Sequence, residues 1–111
     1  MRNSHLADSL CPVARTVSRI GDLWSLMILR DAFLGQTRFE DFRTRLGVAP
    51  NILADRLNRL VETGLLARRR YSERPPRDEY VLTDMGRDFE PVVEALKAFG
   101  DRRLPRGETA S

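Results

Sequence analysis

Residues 37–64, TRFEDFRTRLGVAPNILADRLNRLVETG, constrain the fold more than any other stretch. Phe39, Phe42 and Leu46 recur at helical spacing, and a Gly47-Val48-Ala49-Pro50 break follows. Leu53, Leu57 and Leu60 then fall at i, i+4 and i+7, on one face of a second helix. Thr37 and Glu40 have the spacing of a capping box, which predicts the start of the first helix. Pro50 suits the first position of the second, where its missing N–H is no loss, and Gly64 suits a left-handed residue just past its end. Two short helices around a glycine-containing turn describe a helix-turn-helix, whose second helix would lie in a DNA major groove, or a helical hairpin buried in some other fold. The stretch alone does not separate these, and its neighbours must.

Upstream, Val13, Val17 and Ile20 repeat at i, i+4, i+7 in a segment opened by Cys11-Pro12 and broken by Gly21. Asp22 can cap the next helix, Leu23 to Leu34, closed by Gly35. That helix is apolar nearly all round, which predicts burial on more than one side. Trp24 and Met27 within it are read as core. Downstream the period changes. Leu65–Tyr71 and Glu79–Thr83 read as two strands around a loop, Ser72–Arg77, longer than a two-residue turn and stiffened by Pro75 and Pro76. A β-hairpin directly after the second helix is a wing. The fold class expected is therefore mainly α with a small β-hairpin, a winged helix-turn-helix. Thr83 can cap a last helix, Asp84 to Phe99, with Phe89, Val92, Val93, Leu96 and Phe99 as one apolar stripe and a bend or a weak first turn expected at Pro91. The organisation expected is a flexible arm at 1–10, one domain at 11–104 and a disordered tail at 105–111.

Composition narrows the class. The 111 residues carry a net charge of only +3, but their 19 basic residues include a single lysine, Lys97. Arginine's planar fork engages phosphates and guanine edges in pairs of hydrogen bonds. One cysteine allows no intrachain disulfide, which fits a reducing compartment. Neither a signal-peptide core nor a membrane-length apolar run is present, so a cytoplasmic protein with no membrane partner is expected. A lone histidine, His5, with no nucleophile and base to join it, argues against an enzyme. One Cys and one His cannot build a tetrahedral metal site without other ligands, so neither metal nor cofactor is expected.

The candidate site is an interface for duplex DNA. On the second helix of the pair, Asn51, Asp55 and Asn58 share the face opposite the leucines with Glu62, Arg56 and Arg59 flank it, and Pro50 at its start joins the candidate set. Asn51 and Asp55 suit base edges, since Asn reads adenine and a carboxylate accepts from cytosine N4, while the two arginines suit phosphates. The wing clusters Arg68, Arg69, Arg70, Arg74 and Arg77, suited to the phosphate backbone or a narrow minor groove. Arg38, before the first helix of the pair, joins the set. Specificity is expected from the N-terminal half of the second helix and affinity largely from the hairpin. The competing reading is a winged-helix module that binds protein.

The chain resembles the HxlR-type winged helix-turn-helix transcriptional regulators, relatives of the MarR group. The resemblance rests on Cys11-Pro12; on Gly21, Trp24, Ile28 and Leu29; on Arg38-Phe39; on Arg56-Leu57 with Leu60; and on Pro75-Pro76, Glu79-Tyr80 and Leu82-Thr83. It covers nearly the whole chain between the tails. Asp78 departs from the apolar or aromatic residue more usual there and puts a negative charge at the base of the wing. Phe99 stands where tryptophan is frequent. The resemblance implies a homodimer, built on the N- and C-terminal helices with the stripe Phe89, Val92, Val93, Leu96 and Phe99 at the interface. It implies binding to a palindromic operator, as a repressor in the reading preferred here, with a redox, electrophile or small-molecule effector. Some family members sense oxidants through the cysteine equivalent to Cys11. Its place at a helix N-terminus beside Arg15 suits a reactive thiol; a half-buried structural cysteine is the other reading.

Overall fold

The computed structural model describes residues 4–106. A short 3-10 helix, Ser4–Asp8, leads into α1 (Pro12–Ile20), α2 (Leu23–Phe33), α3 (Phe39–Leu46) and α4 (Pro50–Glu62). The hairpin of β1 (Leu66–Glu73) and β2 (Pro76–Leu82) follows, and then α5 (Asp84–Arg87) and α6 (Glu90–Arg103). The 3-10 turn occupies the expected N-terminal arm. Most of the expected tail lies outside the described residues.

The helix pair forms because its apolar spacing serves one core. Leu53, Leu57 and Leu60 from α4 meet Phe42 from α3, Ile28 and Leu29 from α2, and Leu65 and Leu66 at the entry to the hairpin, all nearly solvent-free. Each such side chain contributes roughly 1.5–3 kcal/mol on burial. Gly47 terminates α3 with φ +64°, a left-handed turn that a Cβ would strain, and Val48 then folds back into the core. Pro50 opens α4 and Gly64 ends it at φ +90°. Asp22 caps α2 by accepting the Ser25 N–H at 2.7 Å.

Three local expectations are corrected. Thr37 and Glu40 do not form a capping box: α3 starts after Arg38 without a side-chain cap, and Glu40 pairs with Arg43 at 2.9 Å. Thr37 serves the hairpin instead, its carbonyl accepting the Tyr80 N–H at 2.7 Å. The strands are longer than expected and the turn is only Arg74-Pro75, because Pro76, at the edge of a two-stranded sheet, needs no ladder donor. The last helix is broken rather than bent. Pro91 lies in the first turn of α6, where its missing N–H costs nothing, and the chain turns at Asp88-Phe89 after the single turn of α5.

The hairpin is antiparallel, pairing Leu66 with Leu82 at its base and Glu73 with Pro76 at its tip, with an irregularity between Arg70 and Ser72. Its base is locked by Thr83. The Thr83 hydroxyl donates to the Gly64 carbonyl and accepts the Gly86 N–H at 3.0 Å.

Candidate nucleic-acid interface

Burying Leu53, Leu57 and Leu60 turns the opposite face of α4 outward. Asn51, Asp55, Asn58 and Glu62 are all exposed there, as the helical period requires. Pro50 is exposed at the leading turn.

The flanking arginines are not free. Arg56 donates through Nε to the Asp22 carboxylate and through a terminal nitrogen to Asp55 at 2.7 Å. Arg59 Nε lies 3.0 Å from the same Asp55 oxygen, and another of its nitrogens lies 4.0 Å from Asp22. The result is a neutral chain of two carboxylates and two guanidiniums joining the start of α2 to the middle of α4. Partial burial pushes the Asp22 carboxyl up, but the Ser25 N–H and the hydrogen bond and charge of Arg56 outweigh it and hold that carboxyl below its usual range. Arg56 is only 23% exposed. Its geometry ties helices together, where the sequence pattern suggested a phosphate contact.

The wing arginines divide in the same way. Arg68 donates to the Asn58 side chain, fastening β1 to α4, and lies over the Tyr80 ring at 5.7 Å. Arg69 pairs with Glu79 at 2.8 Å. Arg70 pairs with Asp78 at 2.7 Å and Glu73 at 3.2 Å, so the unusual acid at 78, expected at the base of the wing, lies towards its tip and neutralises Arg70 there. The side chains of Arg74 and Arg77, at and beside the turn, make no hydrogen bond or ion pair among the described residues. Hydrogen bonds from Arg69 and then from Thr37 hold the Glu79 carboxyl below its usual range, against a smaller opposing effect of burial. Arg38 stacks on Tyr71 at 4.1 Å, which joins the start of α3 to the wing.

The structure therefore brings α4 and the wing together as one surface and leaves Asn51 and the wing tip as its open ends. The clamping partners Asp22, Thr37, Tyr71 and Tyr80 were given no part in the interface from sequence. Asp22 carried a helix-cap signal only, and nothing local links it to a residue 34 positions away.

The apolar stripe expected at a dimer interface also divides. Phe89 is 9% exposed and packs into the monomer core, with Val93 against it. Val92, Leu96 and Phe99 face solvent, as do Val13 and Val17 of α1. Cys11 is exposed at the N-cap of α1, where its N–H donates to the Ser9 hydroxyl at 3.0 Å.

A three-helix core, a helix pair with a tight glycine turn and a basic hairpin after the second helix define a winged helix-turn-helix protein. Residues 19–108 match the HxlR-like helix-turn-helix family model. The chain is 44% identical over 96 residues to the HTH-type transcriptional regulator Rv3095 of Mycobacterium tuberculosis, covering 86% of this chain and 61% of that protein. It is 31% identical over 106 residues to the HTH-type transcriptional regulator YtfH of Escherichia coli, covering 95% and 84%. The crystal structure of PA1607 superposes with a TM-score of 0.86 at 42% identity, covering 98% of this chain and 75% of that one. The redox regulator HypR, in its reduced form, superposes at 0.79 with 31% identity, covering 86% and 95%. The chain belongs to the HxlR-like helix-turn-helix family. It spans 61% of the length of its mycobacterial relatives. No helix among the described residues is long and apolar enough to cross a membrane.

Proposed function

We propose that this chain binds a palindromic DNA operator as a homodimer and acts as a transcriptional regulator, most simply as a repressor that occludes the site. The observation that carries the reading is the continuous outer surface of α4 and the wing, polar in its middle and ending in the unpaired Arg74 and Arg77. Asn51 and Asp55 face the base edges, and the wing-tip arginines meet phosphate. The family and its relatives are transcriptional regulators, which supports the same reading. Cys11 carries the response to an oxidant or electrophile: it is exposed, and a redox regulator is among the structural relatives. With one cysteine per chain, the chemistry open to it is coupling between two subunits, a mixed disulfide with a small thiol, or alkylation.

The test is duplex binding as a function of salt. A dimer engaging on the order of 6–10 phosphates should lose affinity with a log–log slope of roughly −5 to −9. Replacing Arg74 and Arg77 together with Ala should weaken binding to selected and random duplexes alike and flatten the slope. Salt-insensitive binding would overturn the reading in favour of a protein-interaction module. Loss confined to the selected duplex would mean that the wing reads sequence.

A further inference from the structure

We propose that Asp22 is a specificity-determining positioning residue, which holds α4 in reading geometry through Arg56 and withholds the charge of Arg56 and Arg59 from phosphate. The inference rests on the DNA-binding reading above, and it concerns a residue outside the helix pair.

Asp22 stands before α2, yet it faces α4. One of its oxygens accepts the Ser25 N–H, which fixes the carboxylate relative to the α2 backbone. The other accepts Arg56 Nε, with an Arg59 nitrogen at 4.0 Å. Arg56 and Arg59 both meet a single oxygen of Asp55. Asp55 is about half exposed at 49%, so that oxygen is pinned while the rest of the carboxylate remains open to a ligand. Two guanidiniums against two carboxylates leave this part of the surface without net charge. Two consequences follow. Non-specific attraction is suppressed over the reading face and left to the wing tip. Asp55 is held in one orientation, which an acceptor needs if it is to discriminate cytosine N4 from a group that offers no donor. An arginine released from Asp22 would be free to seek phosphate and would leave Asp55 held on one side only.

Asp22→Asn isolates the effect, because Asn caps helices about as well as Asp and keeps the Ser25 hydrogen bond. The probes are a 30-base-pair duplex that the wild-type chain selects from a random pool and a scrambled duplex of the same composition. Asp22→Asn is expected to lower the ratio of selected to scrambled affinity by at least about fivefold, the scale of one base contact. It is expected to raise scrambled-duplex affinity and to steepen its salt slope by about one per released arginine. Asp22→Glu, which keeps the charge, is expected to recover most of the ratio. A merely structural role would lower both affinities together and leave the scrambled slope unchanged; that result overturns the proposal, as does an unchanged ratio in a variant of wild-type thermal stability. Failure of the wild type to select any duplex would overturn the operator reading itself, and this inference with it.

Discussion

Gly86 shows how much a single residue carries here. A Cβ at this position would lie 2.1 Å from the Leu65 carbonyl oxygen and 3.2 Å from the Leu82 side chain. The obstruction is backbone at the base of the wing, and the Gly86 N–H is at the same time bonded to Thr83. The substitution Gly86→Ala must therefore push α5 off the hairpin. It is expected to cost about 1–3 kcal/mol, the usual range for overpacking, read as a lowered urea midpoint. Gly100→Ala, with nothing within 4 Å of the added carbon, is the control and should be neutral or mildly stabilising. Thr83 is legible in the sequence as a cap, whereas the part of Gly86 is not, because close approach between α5 and the hairpin base is a tertiary fact. Arg56 carries the same lesson. Its position on the flank of α4 was legible from the helical period, whereas its partner at the start of α2 was not.

At the scale of elements, the helices were legible where a chain signal and a packing need coincide. The Leu53, Leu57 and Leu60 repeat, the Asp22 cap and the glycines at 21, 47 and 64 all fall where the structure uses them. The hairpin was legible in kind but not in extent, since Ser72, Glu73, Pro76 and Arg77 read as loop until the strands are seen to pair through them, with Arg69 and Glu79 bridged across the ladder. That pairing makes wing and core docking sensitive to acid. Asp22 and Glu79 both have folded-state carboxyls below their usual range. Such groups contribute stability that is fully present above the unfolded value and lost as pH falls through the folded one. Urea midpoints should thus be nearly level from pH 7 to about 5 and fall below about pH 4. Glu79→Gln should be less stable at neutral pH and show a shallower acid decline. An equal decline in both would remove Glu79 from the acid response.

At the scale of the molecule, the ends of the chain are built differently from its middle. Neither α1 nor α6 contains a buried residue, although both carry apolar stripes. Val13, Val17, Val92, Leu96, Phe99 and Leu104 are between 43% and 69% exposed. A groove of about 450 Å³ between the two helices is floored by Ile20, Leu65, Met85 and Phe89. The radius of gyration is 15.3 Å, against about 13 Å for a compact chain of this length. A helix with one apolar face and no partner for it is half of an interface. A second copy is the partner that fits the proposed function, because it covers these faces and places two α4 helices against a palindrome. The wild type should then sediment as a dimer at micromolar concentration. Leu96→Glu with Phe99→Glu should sediment as a monomer with its helical circular dichroism intact, since neither side chain belongs to the monomer core. Because two half-sites act together, that monomer should bind a selected palindrome at least about a hundredfold more weakly. Its affinity for an isolated half-site should change little. A wild type that is monomeric at tens of micromolar would leave the stripes on α1 and α6 unexplained and remove the dimer from the proposed function.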